Sequence, residues 1–204
     1  MACSCAARAR RIGGAPPASL AAALLLGAVL FAAASAHGAE IEGVHLDDRI
    51  LVAGRPLILN GAGVRAKLLL PIYVVALYLP KPVKDVSGVF ARAPRRIQLN
   101  MLLSVPADEI VAALVDTMAD NSSPAALAAV EPQTDRLVAL IRRFKAVRKG
   151  DVVTLDFVAG GTNLRWNGAF RGRIPGDAFN RALTGIWLGD KPVQADLKRK
   201  LLGG

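Results

Sequence analysis

The sequence predicts an α+β domain, a largely antiparallel sheet with helices covering one face. Two observations predict it. Short apolar runs of strand character alternate with longer runs of helical periodicity. The strand runs are joined by hairpin punctuation, most clearly Asn167-Gly168, where a parallel sheet would need helical crossovers.

Taken in order, Ile50–Ala53, Gly54-Arg55 and Pro56–Leu59 read as strand, turn and strand, and Asn60-Gly61 reads as turn punctuation before Val64. Val64–Leu70 and Ile72–Leu79 follow as two strands broken at Pro71, so the domain starts as a meander. Lys84–Ala93 forms a short helix, and Arg95–Leu103 returns to strand character. Ser104, Pro106, Asp108 and Glu109 supply a capping hydroxyl, an early proline and first-turn acids. The helix they start carries Ile110, Leu114 and Met118 on one face and ends at Asn121-Ser-Ser-Pro124. Ala125–Val130 and Thr134–Phe144 are helical, the second with Leu137, Leu140, Ile141 and Phe144 as its apolar stripe. After Lys149-Gly150-Asp151, three strands span Val152–Val158, Asn163–Trp166 and Ala169–Ile174. Pro175–Trp187 and Ala195–Leu202 close the chain as helices.

The first 39 residues read as a cleaved targeting signal and not as fold. Arg8, Arg10 and Arg11 form its basic start, Leu20–Ala34 its apolar run, and small residues between positions 36 and 39 its cleavage site. A periplasmic or secreted protein is expected, with a single domain over residues 40–204. Cys3 and Cys5 both fall in the leader, so the mature chain has neither a disulfide nor thiol chemistry. His45 is then the only imidazole of the domain, and no cluster of carboxylates has metal-ligand spacing. No metal site and no cofactor are expected.

Of the 26 basic residues, 23 remain without the leader's three arginines, against 16 acidic ones, an excess of seven. The clusters Arg142-Arg143 and Lys198-Arg199-Lys200 end helices, where cations are favourable against the backbone dipole. Nucleic-acid binding would want a concentrated basic face with stacking aromatics, so it is not expected. The excess does bias the surface toward anionic ligands and toward weak association with a membrane surface.

The stretch from Asn60 to Leu79 sets Arg65, Lys67, Tyr73 and Tyr78 inside otherwise apolar strands. A pure core would not need them. Gly61-Ala-Gly-Val-Arg65, Tyr73-Val-Val-Ala-Leu-Tyr78-Leu79 and Gly189-Asp-Lys-Pro-Val-Gln-Ala-Asp-Leu-Lys-Arg199 together resemble the chalcone isomerase-like family, in its exported bacterial branch. The resemblance implies an open-faced β-sandwich of chalcone isomerase type, a large antiparallel sheet and a layer of helices enclosing an apolar cleft. In the plant enzymes an arginine in the Gly-Val-Arg motif positions a chalcone phenolate for ring closure. Arg65 matches that arginine, and Tyr73 falls on the position of a threonine. Asp108, Val115 and Ile186 stand where a tyrosine, an asparagine and a Ser/Thr would orient the substrate.

Carbonyl polarisation needs donors aimed at the developing oxyanion, which an ionised Asp108, Val115 and Ile186 do not supply. An arginine with a tyrosine instead resembles the pair with which the family's non-catalytic, fatty-acid-binding members hold a carboxylate, and a guanidinium fork beside a phenol suits that group. The reading that follows is non-catalytic binding of a fatty acid or similar amphipathic anion by Arg65, Tyr73 and Lys67. The alternative is an intramolecular lyase cyclising a chalcone or related enone, with Arg65 and Tyr73 as its catalytic residues. Either partner is a small amphipathic or aromatic molecule. Each residue also has a plainer reading: Arg65 as a structural ion-pair partner, Lys67 as a solvent-facing charge, Trp166 and Trp187 as cleft wall. A three-residue turn centred on Leu70 would set Arg65 opposite Val75 and Lys67 opposite Tyr73, with all four on one face.

Overall fold

A computed structural model describes residues 38–91 and 94–204. The expected leader, through His37, lies outside the described residues. A hairpin of β1 (Ala39–Ile41) and β2 (Val44–Leu46) comes first, followed by β3 (Arg49–Val52), β4 (Arg55–Lys67) and β5 (Leu70–Leu79). Then come α1 (Val86–Phe90), β6 (Arg95–Met101), β7 (Val105–Pro106), α2 (Ala107–Asp120), α3 (Pro124–Ala129), α4 (Glu131–Arg142) and β8 (Ala146–Val147). The chain finishes with β9 (Val152–Val158), β10 (Gly161–Trp166), β11 (Ala169–Pro175), α5 (Asp177–Leu188) and α6 (Ala195–Leu201).

Seven strands form one antiparallel sheet in the order β11-β10-β9-β6-β5-β4-β3. Strand alternation gives it two apolar faces. Tyr73, Val75, Leu77 and Leu79 of β5 pack toward the helices, whereas Val74, Ala76 and Tyr78 pack with Leu46, Val52 and Leu57 on the opposite side. Burying each such aliphatic side chain contributes about 1.5–3 kcal/mol, so the two-sided core holds the domain without a disulfide. The sheet also curls. Leu51–Ala53 at one edge and Gly168 near the other line the same polar recess, where Arg96 grips buried Asp156 at 2.5 and 2.9 Å.

The expected breaks in the first meander are corrected. Asn60-Gly61 is no turn but lies inside the long strand β4, where Asn60 is an extra residue between the pairs Leu59↔Tyr78 and Gly61↔Leu77. Its side chain donates to the carbonyls of Val83 and Leu201 and accepts from the Val83 amide, fastening both to the strand. Glycine is needed next to it for a different reason. A Cβ on Gly61 would lie 2.1 Å from the Lys200 carbonyl oxygen, so α6 rests directly on the β4 backbone.

Nor does Pro71 divide the strands. The turn is Leu68-Leu69, both left-handed at φ 51° and 68°, and Pro71 sits within β5 opposite Ala66. Ser104 does not cap α2 either, since its hydroxyl instead accepts from the Lys149 amide at 3.0 Å, and Pro106 precedes the helix. The β1–β2 hairpin lacked any strong strand pattern in the sequence. Asn167-Gly168 is the expected β10–β11 turn, with both residues at positive φ.

Helix α5 is pinned to the sheet by Arg95. This buried guanidinium donates to Thr184 Oγ1 at 2.9 Å and lies 4.6 Å from the centre of the Phe157 ring. Burial, reinforced by the charge of Arg181, pushes its pKa down to about 10.

Candidate functional site

Between the helical face of the sheet and α2, α4 and α5 lies a cavity of about 640 Å³. This is the size of a small-molecule site, for which ~300–1,000 Å³ is usual. Leu99, Val153 and Leu155 line it from the sheet, and Leu114, Ile141 and Leu183 from the helices. The helical stripes expected to be core thus serve in part as cavity wall. Leu114 and Ile141 are only half-buried, which fits a surface left for a guest.

Arg65, Lys67 and Tyr73 all line this cavity. The register that unites Arg65 and Tyr73 differs from expectation. Leu68-Leu69 makes a two-residue turn that pairs Lys67 with Leu70 and Ala66 with Pro71. Continued regularly, this register would set Arg65 against Ile72 and turn Tyr73 to the other face. A bulge at Ile72 restores it, so Arg65 pairs directly with Tyr73, and Gly63, not Arg65, faces Val75. Lys67 is exposed at the mouth, away from Tyr73 in the ladder.

Arg65 is half-buried, and one terminal nitrogen donates to the Ala66 carbonyl and to Gln194 Oε1, the latter at 3.2 Å. The same Oε1 accepts from the Ala66 amide at 3.1 Å, while Gln194 Nε2 donates to the Val64 carbonyl at 3.3 Å. Gln194 therefore acts as a short surrogate strand along β4, beyond the residues that β3 pairs. This fixes one nitrogen of the guanidinium and leaves its other donors for a guest. Among the described residues, no carboxylate forms an ion pair with Arg65 or Lys67. Among the described residues, Glu109 is the one acid on the cavity lining.

Tyr73 is set by Trp187, whose Nε1 donates to the phenol oxygen at 3.1 Å. An indole N–H only donates, so the phenol proton remains to be given elsewhere. No acceptor for it occurs among the described residues. Burial holds the Tyr73 pKa above its ordinary value, against the opposing pull of Trp187 and of the Arg65 charge. At neutral pH the group is a phenol and hence a donor. Arg65 and Tyr73 thus present convergent donors at the edge of an apolar chamber, an arrangement suited to an oxyanion with a hydrocarbon body.

Residues 38–203 match the chalcone isomerase-like family. The chain belongs to that family. The crystal structure of a fatty-acid-binding protein from Arabidopsis thaliana is similar to it, with a TM-score of 0.63 over 81% of this chain and 95% of the other. At 12% identity, the likeness shows the chalcone isomerase-like fold, a curled antiparallel sheet with helices, and nothing finer. A search of curated protein sequences gave no match.

Within this chalcone isomerase-like fold, the other positions taken from the plant enzymes separate. Ile186 lines the cavity, whereas Asp108 and Val115 are exposed, with Asp108 paired to Arg142 at 3.1 Å. Besides Tyr73, two hydroxyl-bearing residues belong to the chamber lining, Ser104 and Thr117. Thr117 donates to the carbonyl of Ala113 at 2.7 Å, within its own helix. Trp166 and Trp187 are both wall, as their plainer reading had it, and Trp187 is also a polar partner. His45 is exposed on β2. Sequence reasoning missed Gln194 and the polar role of Trp187. Both lie in or beside the Gly189–Arg199 motif, which would have marked them had it been read for what it holds against β4.

Proposed function

We propose that this chalcone isomerase-like protein binds a fatty acid, or an amphipathic anion of similar shape, without transforming it. The carboxylate lies against Arg65 and the Tyr73 hydroxyl, with Lys67 adding charge at the mouth, and the hydrocarbon tail fills the chamber toward Leu155 and Leu183. The observation that carries this reading is a half-buried guanidinium with no carboxylate partner among the described residues, facing a phenol donor across one strand pair at the edge of an apolar cavity. A buried or half-buried charge calls for a counter-ion, and the chamber admits one that brings its own apolar body. The fatty-acid-binding function of the Arabidopsis structure is consistent with the reading. Ring closure on an enone is the less supported use, because Ile186 offers no donor and Asp108 and Val115 do not reach the chamber.

The leader expected over residues 1–39 supports export to the periplasm or beyond. Sequencing the amino terminus of the protein recovered outside the cytoplasm checks this, and an intact residue 1 there would contradict it. For the ligand, titration with a long-chain fatty acid should give a complex that weakens on the order of 10- to 100-fold in Arg65→Ala, the worth of a charge-assisted hydrogen bond. Equal affinity in both proteins would sink the role of Arg65.

A further inference from the structure

The β4–β5 turn breaks the rule for its type. A two-residue hairpin with both residues left-handed is the form that Asn-Gly satisfies, and leucine fits it poorly because its Cβ crowds the backbone. Here the two positions are Leu68 and Leu69, at φ 51° and 68°. Both side chains are almost fully in water, at 94% and 96% exposure, and Leu70 follows at 53%. Neither local conformation nor packing within the domain accounts for leucine at these places. A site where local preference is given up without a packing return is where function is to be sought.

The position of the tip suggests its use. Leu68, Leu70 and Leu103 line the outer part of the cavity together with Lys67, so the turn forms one lip of the mouth. Leu103, itself 37% exposed, is tied to the base of the hairpin through its amide on the Ile72 carbonyl at 3.2 Å. The lip is thus apolar at its tip and basic at its base, with Lys67 and then Arg65 on the strand below.

We infer that the Leu68-Leu69 tip inserts into an anionic lipid surface, seating the cavity mouth on the bilayer from which the guest is taken. A protein partner is the poorer fit: a stable protein interface buries roughly 800 Å² on each side, far more than a hairpin tip presents. A bilayer needs no such complementarity, only a few apolar side chains and nearby cations. The excess of seven basic residues outside the leader has the right sign. The identity of the guest rests on the reading proposed above, but the docking surface does not.

The experiment uses the full chain with Leu69→Trp, mixed with vesicles of phosphatidylcholine containing about a third phosphatidylglycerol and doped with bromine-labelled lipid. The leader has no tryptophan, so quenching beyond that of the unmodified chain reports the tip alone. Strong extra quenching in anionic vesicles, weaker in pure phosphatidylcholine, is expected. No extra quenching in anionic vesicles would overturn the proposal.

A second variant, Leu69→Gly, suits the left-handed position better, leaves the cavity-lining Leu68 in place and should melt at the same or a higher temperature. It should nevertheless take a fluorescent fatty acid from anionic vesicles at least about five-fold more slowly, while binding the same acid from solution unchanged. An unchanged transfer rate would overturn the proposal. If neither protein binds the acid from solution, the ligand reading falls, and the quenching decides the surface by itself.

Discussion

The indole of Trp187 donates to the hydroxyl oxygen of Tyr73 at 3.1 Å, joining residues 114 apart in the chain. The bond links the last turns of α5 to the strand that carries the polar end of the cavity. It also decides what Tyr73 can do, because an oxygen that already accepts from Trp187 is directed to donate to a guest. Replacing the hydroxyl by Tyr73→Phe should weaken fatty-acid binding by roughly 3- to 10-fold, the range of one neutral hydrogen bond. Trp187→Phe should raise the Tyr73 pKa further, since it removes a donor that favours the phenolate. Absorbance titration of the tyrosinate band reads this, and a fall in the pKa would contradict the arrangement.

Gln194→Glu offers a sharper test of the anion site. The carboxylate keeps an acceptor for Arg65 and the Ala66 amide, but it becomes an internal counter-ion to the guanidinium and opposes the Val64 carbonyl. Fatty-acid affinity should fall at least about 10-fold, because the guest's charge is already matched. Calorimetric titration measures this, and a variant that binds as well as the parent would show that Arg65 is not the anchor.

Much of the fold was legible because its strands obey period-two alternation and its last hairpin carries Asn-Gly. The first meander was harder to read. Asn60-Gly61 has the composition of a turn, yet tertiary contact sets its role: Asn60 satisfies three backbone groups, and Gly61 admits α6. The true turn, Leu68-Leu69, has the composition of a strand. Arg65 and Tyr73 were recognisable as polar residues in apolar strands, but their pairing depends on a one-residue bulge at Ile72 that no local pattern announces. Gln194 and Trp187 reach the site only through long-range packing.

The two glycines at positions 61 and 185 should respond in opposite ways to alanine. A methyl on Gly61 meets the Lys200 carbonyl at 2.1 Å, so Gly61→Ala should lose roughly 1–3 kcal/mol as α6 is pushed off β4. On Gly185, inside α5, it meets only Asn121 Cβ at an ordinary 3.7 Å, so Gly185→Ala should gain about 0.5–1 kcal/mol of helix propensity. Thermal melts of the two variants check both signs.

Tyr78 makes the alkaline limit of stability testable. Its hydroxyl is buried with no hydrogen-bond partner among the described residues, and burial, with Asp47 nearby, pushes its pKa up to about 12. A phenol harder to ionise when folded contributes stability that is complete below its ordinary pKa of 10 and is lost as pH rises toward 12. Relative to Tyr78→Phe, the parent should therefore lose on the order of 1–3 kcal/mol between those values and hold a constant difference below pH 9. Parallel denaturant curves across pH measure the gap. A parent that gains stability relative to Tyr78→Phe as pH rises would have the wrong sign.

The central claim is that the cavity beside Arg65 and Tyr73 holds an amphipathic anion, and mass spectrometry of what co-purifies with the protein tests it most directly. The parent protein should release a fatty acid or a related amphipathic anion in near-stoichiometric amount, and Arg65→Ala, folded to the same melting behaviour, should release little. An empty parent protein that also takes up no fatty acid when supplied, or an Arg65→Ala variant carrying the same load, would contradict the account.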